Sequence, residues 1–342
     1  MKKKLINYIV LFSLVGITIW IIASSSDINS LPGLLTKTNK GYLLLAFLCM
    51  IGYWVFDALI ITNISKMLNI KNNIIQSLKF TMIGQYYSLI TPFSSGGQPA
   101  QIYSMVNDSI PIGKATSILI EKFIIYQIIV TLYSIIMFIL RLSFVYTRIK
   151  TALPFMVIGI ILNFIGLITI LTLFLNSSLL KKITMLILQL LNKIKIIKDI
   201  DKYKLKAEAH LAEYDESIKK ISENKAMTVK ASIMTIIQLT LYFSITYFIY
   251  LSLGLGKATY VDIISIQSLL YMTVSFIPTP GTVGASEGGF YVLFKVFFGA
   301  NLLVYAMLLW RIISYYLSLA ICGIVTFVDY LARKKRRLVL GK

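Results

Sequence analysis

The sequence is poor in the residues from which most enzymes and metal proteins are built. Its 342 residues include one histidine, two cysteines and 14 acids, and charged residues make up only 14% of the chain. His210 lies in a polar stretch, so there is no material for a histidine metal centre or a Ser–His–acid set. Cys49 and Cys322 both sit inside apolar runs, which argues against a disulfide framework or a thiolate metal site. A Gly-Lys-Ser/Thr phosphate loop is missing as well. No metal, no cofactor and no catalytic residue is expected. The low charge also excludes a single soluble core, because soluble chains carry about 25% charged residues.

What the sequence has instead is apolar length. Hydrophobic residues make up 57% of the chain, and the mean hydropathy is +0.80. Runs at 5–23, 41–62, 115–140, 152–176, 231–254 and 303–328 are long enough, at 1.5 Å per residue, to cross a ~30 Å hydrocarbon core. The first follows Lys2–Lys4 and precedes Ala23-Ser24-Ser25, as a signal peptide would. Its apolar run exceeds a signal core, so it is read as an uncleaved helix. The expected fold is an all-α integral membrane protein with about six spans.

The formal charge of +20 is concentrated. Lys2–Lys4 supply three positive charges and Arg333–Arg337 five; the stretch 180–230, with twelve lysines against seven acids, adds five more. Clusters of this kind anchor loops beside anionic lipid on the cytoplasmic side, and they speak against nucleic acid as a partner. The expected location is the plasma membrane with both termini cytoplasmic. Residues 180–230 are expected to form a Lys-rich amphipathic connector, with Leu205, Ala209, Ala212 and Ala207 or Leu211 on its apolar face. The basic tail 331–342 follows the last span.

Two stretches fit no simple span. Windows 91–101 and 276–291 hold four of the seven prolines and six of the nineteen glycines, so both should interrupt helices at membrane depth. With the termini and the 180–230 stretch inside, parity makes 80–114 start and end inside, and 262–302 start and end outside. Both then read as re-entrant hairpins entering from opposite faces, within half-repeats of about 1–150 and 151–330. This is the pattern of an inverted-repeat transporter. Arg141, Arg148 and Lys150 fall outside in this scheme. An eight-span alternative moves them inside but places the twelve-lysine stretch outside.

Ionisable groups within spans are costly and therefore functional candidates. They are Asp57, Glu121, Lys122, Glu287, Lys295 and Arg311. Lys122 and Lys295 snorkel if they sit near an interface, and Asp57 either reaches the headgroups near its span end or, with Glu121, is a supporting charge of the substrate site. Glu121 sits about two turns into its helix. Glu287 and Arg311 have no easy route to water. They read either as a helix-tying ion pair or as a phosphate site in which Arg311 offers forked donors and Glu287 balances it. Gly96, Gly97, Gly281, Gly284, Gly288 and Gly289 either allow close packing of the hairpin tips or expose N–H groups to an anion. Ser94, Ser95, Gln98, Gln101, Thr279, Thr282 and Ser286 add uncharged hydrogen bonds. Most of the 21 tyrosines are assigned to interfacial belts.

The run Gly84-Gln85-Tyr86-Tyr87-Ser88-Leu89-Ile90-Thr91-Pro92-Phe93-Ser94-Ser95-Gly96-Gly97-Gln98-Pro99-Ala100-Gln101 resembles one signature of a known family. Pro278-Thr279-Pro280-Gly281-Thr282-Val283-Gly284-Ala285-Ser286-Glu287 resembles its second, and Arg311 matches a basic position in its last helix. The family is the lysylphosphatidylglycerol synthase transmembrane region, the flippase-like half of the bacterial multiple peptide resistance factor. The resemblance implies movement of a phosphatidylglycerol-derived lipid, such as lysyl-phosphatidylglycerol, across the bilayer. It places Ser94, Ser95, Gly96, Gly97, Gln98, Gly281, Gly284, Ser286 and Glu287 near the translocation site, with Arg311 as partner. The aminoacyltransferase domain of the full-length factor is not expected here, since Lys342 follows directly on the basic tail. A separate lipid-modifying synthase then becomes an expected partner beside membrane phospholipid. Phosphatidylglycerol lysyltransferase activity and small-solute transport on the same scaffold are the alternatives.

Overall fold

The structure is a computed structural model that describes residues 38–193 and 200–339. The expected span 5–23 lies outside the described residues. The described residues contain helices and no strand. Helix α1 (Lys40–Met67) is followed by α2 (Ile74–Ile90), a 3₁₀ turn at Pro92–Ser94, and α3 (Gly97–Asn107). Then come α4 (Ile112–Leu140), α5 (Leu142–Arg148), α6 (Leu153–Leu175), α7 (Ser177–Lys193), α8 (Ile200–Glu223) and α9 (Lys225–Ser252). The last part comprises α10 (Tyr260–Val274), a 3₁₀ turn at Pro280–Thr282, α11 (Ala285–Arg311), a π turn at Ile312–Tyr316, and α12 (Leu317–Val339). Helix α11 breaks at Gly299, beyond which Asn301–Lys335 forms one long apolar helix.

Among the described residues, five helices are long and apolar enough to cross a membrane: Lys40–Met67, Ile112–Leu140, Lys150–Thr172, Lys225–Ser252 and Asn301–Lys335. They coincide with five of the expected spans. Each Gly/Pro window instead joins two shorter helices, α2 to α3 and α10 to the first part of α11. Both hairpins start with a capping box, Asn73 with Gln76 and Thr259 with Asp262, which satisfies N–H groups at the helix start.

The two hairpin tips share a backbone. Thr91-Pro92-Phe93-Ser94 and Thr279-Pro280-Gly281-Thr282 each begin extended and turn at proline. Each then places its third residue in the left-handed region, Phe93 at φ 53°, ψ 19° and Gly281 at φ 59°, ψ 19°. The fourth residues, Ser94 and Thr282, both have φ 54°. After that the paths diverge: Gly284 alone reaches φ 86° before the next helix starts. The two tips pack against each other.

Side-chain contacts at the ends of α4 orient the hairpins. Beside its start, Lys79 of α2 bonds to Asp108, which follows α3, and Arg333 of α12 joins them at 3.4 Å. Beside its end, Arg141 pairs with Asp262 of α10 at 3.0 Å, and Phe144 stacks on Phe297 at a centroid distance of 5.5 Å. A 29-residue helix is about 43 Å long, so the hairpins open at opposite ends of the bundle and meet between them. The Asp262 pairing also neutralises Arg141, the charge that sat badly with the expected topology.

Helix α1 lies along α9, tied by Asn63 Nδ2 donating to the Met227 carbonyl at 2.9 Å. The 180–230 stretch folds as α7 and α8. Leu205, Ala209 and Ala212 do not form the packing face of α8; they are exposed, and Ala207 and Leu211 are half-buried. Tyr214, Ser217 and Ile221 are buried instead, because the bulkier Tyr214 and Ile221 fill the space between α8 and the bundle. Burial pushes the Tyr214 phenol up to about 12, so it stays neutral.

Identical backbones with different residues make a sharp test. Gly281→Ala places a Cβ against the Tyr315 ring at a left-handed position and should lower stability by more than 1 kcal/mol. Phe93→Gly occupies the same conformation without penalty and should stay within about 1 kcal/mol of the parent. Thermal unfolding in detergent measures both; equal losses would contradict the shared geometry.

Candidate functional site

The tips and the surrounding helices line a partly open cavity of about 560 Å³. Ser94, Ser95, Gly97, Gln98 and Gln101 line it from the first hairpin, and Gly281, Thr282 and Ser286 from the second. Arg311 and Asp57 also line it. Gly96, Thr279, Gly284, Glu287 and Glu121 do not. The Gly96 N–H donates to Thr91 Oγ1 at 2.9 Å, and Thr279 Oγ1 donates to the Val283 carbonyl at 3.0 Å, so both close their tips from within. Glu121 is half-buried on α4 and neighbours Tyr214 of α8.

Glu287 organises the second tip. Its Oε2 accepts from the Gly284 N–H at 2.6 Å, and its Oε1 accepts from Arg311 Nε at 2.5 Å. Arg311 Nη2 donates to the Gly281 carbonyl at 3.2 Å. One carboxylate thus caps the helix that starts at Ala285, supports the left-handed glycine before it, and aligns a guanidinium on the cavity wall. Arg311 also lies against the rings of Trp310 (5.4 Å) and Tyr315 (5.0 Å). Its Nη1 has no protein partner among the described residues. That edge can take a bidentate anion.

A second ion pair faces the same space. Asp57, a candidate supporting charge, is buried here rather than at the headgroups, because three elements supply it with donors. Lys122 Nζ lies 2.6 Å from its Oδ2, Thr81 Oγ1 donates to Oδ2 at 2.7 Å, and Gln238 Nε2 donates to Oδ1 at 3.0 Å. Lys122 therefore does not snorkel: a partner inside the bundle holds it at the cavity.

Tyr53, Tyr126, Tyr242 and Tyr271, to which the sequence assigns no role, line the cavity. Tyr126 and Tyr271 share a 2.7 Å hydroxyl hydrogen bond, and Tyr53 packs on Tyr242 at 5.3 Å. They come from α1, α4, α9 and α10, so no local spacing groups them. The cavity wall thus combines two paired cations, neutral hydroxyl and amide donors, and aromatic surface. This suits an anionic group that arrives with apolar matter attached.

These features define a polytopic all-α membrane protein with a polar cavity where two broken helical hairpins meet. The sequence profile of the lysylphosphatidylglycerol synthase TM region matches residues 8–322, and the chain belongs to that family. It is also similar to a protein described as a UPF0104 membrane protein from Archaeoglobus fulgidus, 25% identical over 287 residues, covering 83% of this chain and 85% of the relative.

Removing the Asp57 carboxylate should show how far the cavity wall depends on it. Asp57→Ala leaves Lys122 unpaired in a buried wall and should cost about 3 kcal/mol. Adding Lys122→Met should recover more than half of the loss, because no unpaired charge remains. Chemical denaturation of the three proteins measures it; a double variant less stable than the single one would contradict the pairing.

Proposed function

We propose that the protein is a lipid translocase that moves a phosphate-bearing headgroup, of phosphatidylglycerol or a derivative such as its lysyl ester, across the plasma membrane. The observation that carries this reading is the open Nη1 edge of Arg311 at the meeting point of two broken hairpins inside an apolar bundle. The headgroup phosphate binds there while the acyl chains stay in the bilayer. In this reading the hairpins are re-entrant, residues 1–150 and 151–330 form inverted half-repeats, and alternating access between them carries the headgroup. Both termini and α7–α8 face the cytoplasm. Helix α7 supports that placement, since Ile183, Leu186, Ile187 and Leu190 form an exposed apolar stripe flanked by Lys181 and Lys182, suited to the membrane surface. A separate enzyme that modifies the lipid supplies the substrate.

The test uses protein reconstituted in liposomes with headgroup-labelled phosphatidylglycerol and lysyl-phosphatidylglycerol, followed by access of an external quencher. The parent should move at least one lipid faster than empty liposomes do. Glu287→Gln and Arg311→Gln should each lower the rate at least tenfold at equal incorporation. Unaccelerated movement of both lipids contradicts the reading. Normal movement by Arg311→Gln removes that residue from the mechanism.

A further inference from the structure

The two cations of the cavity occupy equivalent places in the two halves of the chain. Lys122 lies 31 residues after Thr91, and Arg311 lies 32 residues after Thr279, the residues that open the matching tips. Lys122 is the eleventh residue of Ile112–Leu140, and Arg311 is the eleventh of Asn301–Lys335. Each is followed four positions later by a cavity-lining tyrosine, Tyr126 or Tyr315. The tyrosines cross over to the opposite hairpin: Tyr126 bonds to Tyr271 of α10 at 2.7 Å, and Tyr315 donates to the Leu89 carbonyl of α2 at 3.4 Å. Each cation also meets one carboxylate, Lys122 with Asp57 and Arg311 with Glu287.

We infer that Lys122 is a second anion-binding residue, and that Lys122 and Arg311 are consecutive stations for the phosphate of a lipid headgroup, one in each half. This rests on the translocase reading and adds a path to it. A phosphate oxygen displaces Asp57 from Lys122 at one station and takes the open Nη1 edge of Arg311, with Glu287 still in place, at the other, while the ester-linked chains remain in lipid. No covalent bond is made or broken. Asp57 is built to tolerate the exchange. It keeps the Thr81 hydroxyl and the Gln238 amide when Lys122 turns away. It is therefore still hydrogen-bonded when its pair opens, which eases the usual obstacle to opening a buried pair. The stations differ in strength. Lysine offers a compact ammonium on a flexible stem, while arginine offers a fixed fork between two rings. The lysine site should release the headgroup more readily.

The test separates binding from movement. Full-length protein in uncharged detergent is titrated with dioctanoyl-phosphatidylglycerol. The variant pairs Lys122→Gln with Asp57→Asn, which removes both charges and keeps the side-chain shapes, so a thermal unfolding midpoint within about 3 °C of the parent shows an intact fold. The pair should lower lipid affinity at least fivefold, and Lys122→Arg alone should stay within threefold of the parent. In liposomes the pair should slow lipid movement at least tenfold. Parent-like affinity and movement in the folded double variant overturns the second station while leaving the translocase standing if Arg311→Gln is still impaired. Loss of affinity only with loss of fold assigns Asp57 and Lys122 a purely structural role and also overturns it. Titration with inorganic phosphate distinguishes a free-anion site: phosphate binding that lipid cannot displace overturns the headgroup assignment.

Discussion

The site depends on the fully engaged carboxylate of Glu287. Its two oxygens hold different structures, the Gly284 N–H at the start of α11 and the Arg311 guanidinium at the root of the last long helix. A guanidinium buried in an apolar bundle is costly unless it is paired. Glu287 pairs it, and the same contact stabilises the break that lets the chain turn at Gly281. Tip, cation and last helix are therefore one unit. The first half does the same work differently, with Asp57 drawing donors from α2, α4 and α9 to place Lys122. The cavity is the space between these two anchored units.

This explains why helix-breaking residues survive in a membrane protein. Each broken tip frees backbone groups that lipid cannot satisfy, and such irregular backbone persists only where protein or water covers it. Here the tips pack against each other, with residues 92–95 left exposed, and Leu89, Val283 and Tyr315 form a small buried cluster at the junction. Proline at both tips stops the incoming helix, and the left-handed pair that follows reverses the chain. Gly281 accepts that conformation freely, whereas Phe93 is held in it at an exposed position. Backbone strain at such a place is characteristic of functional segments.

Most of the architecture was legible from the sequence because its signals are local. Apolar runs of membrane length marked five long apolar helices among the described residues, with ends shifted by up to seven residues, and clustered proline and glycine marked both helix breaks. Periodicity and composition survive without knowledge of neighbours. The polar wall of the cavity was only half legible. Ser94, Gln98 and Ser286 were singled out because they sit in the broken windows, and Arg311 because it is a charge inside an apolar span. Lys122 was not singled out for the cavity, and Asp57 was left between the headgroups and the site, because headgroup-seeking behaviour depends on whether an internal partner exists, and Asp57's partners Thr81, Lys122 and Gln238 lie 24, 65 and 181 positions away in the chain. The cavity tyrosines were not singled out for the same reason: a belt residue and a cavity residue have the same composition and differ only in what their helix faces. The spacing of a cation and a tyrosine after each Thr-Pro tip was a usable signal, visible once the tips are aligned.

The most direct test of the account is to ask where a lipid headgroup touches the protein. The intact protein would be reconstituted with a phosphatidylglycerol carrying a photoactivatable group on its glycerol head, irradiated, and mapped by mass spectrometry. The account predicts adducts on both tips, within 94–98 and 281–286, and on α4 around Lys122. Adducts confined to the outer faces of α7 and α12, with none in the cavity, would contradict it.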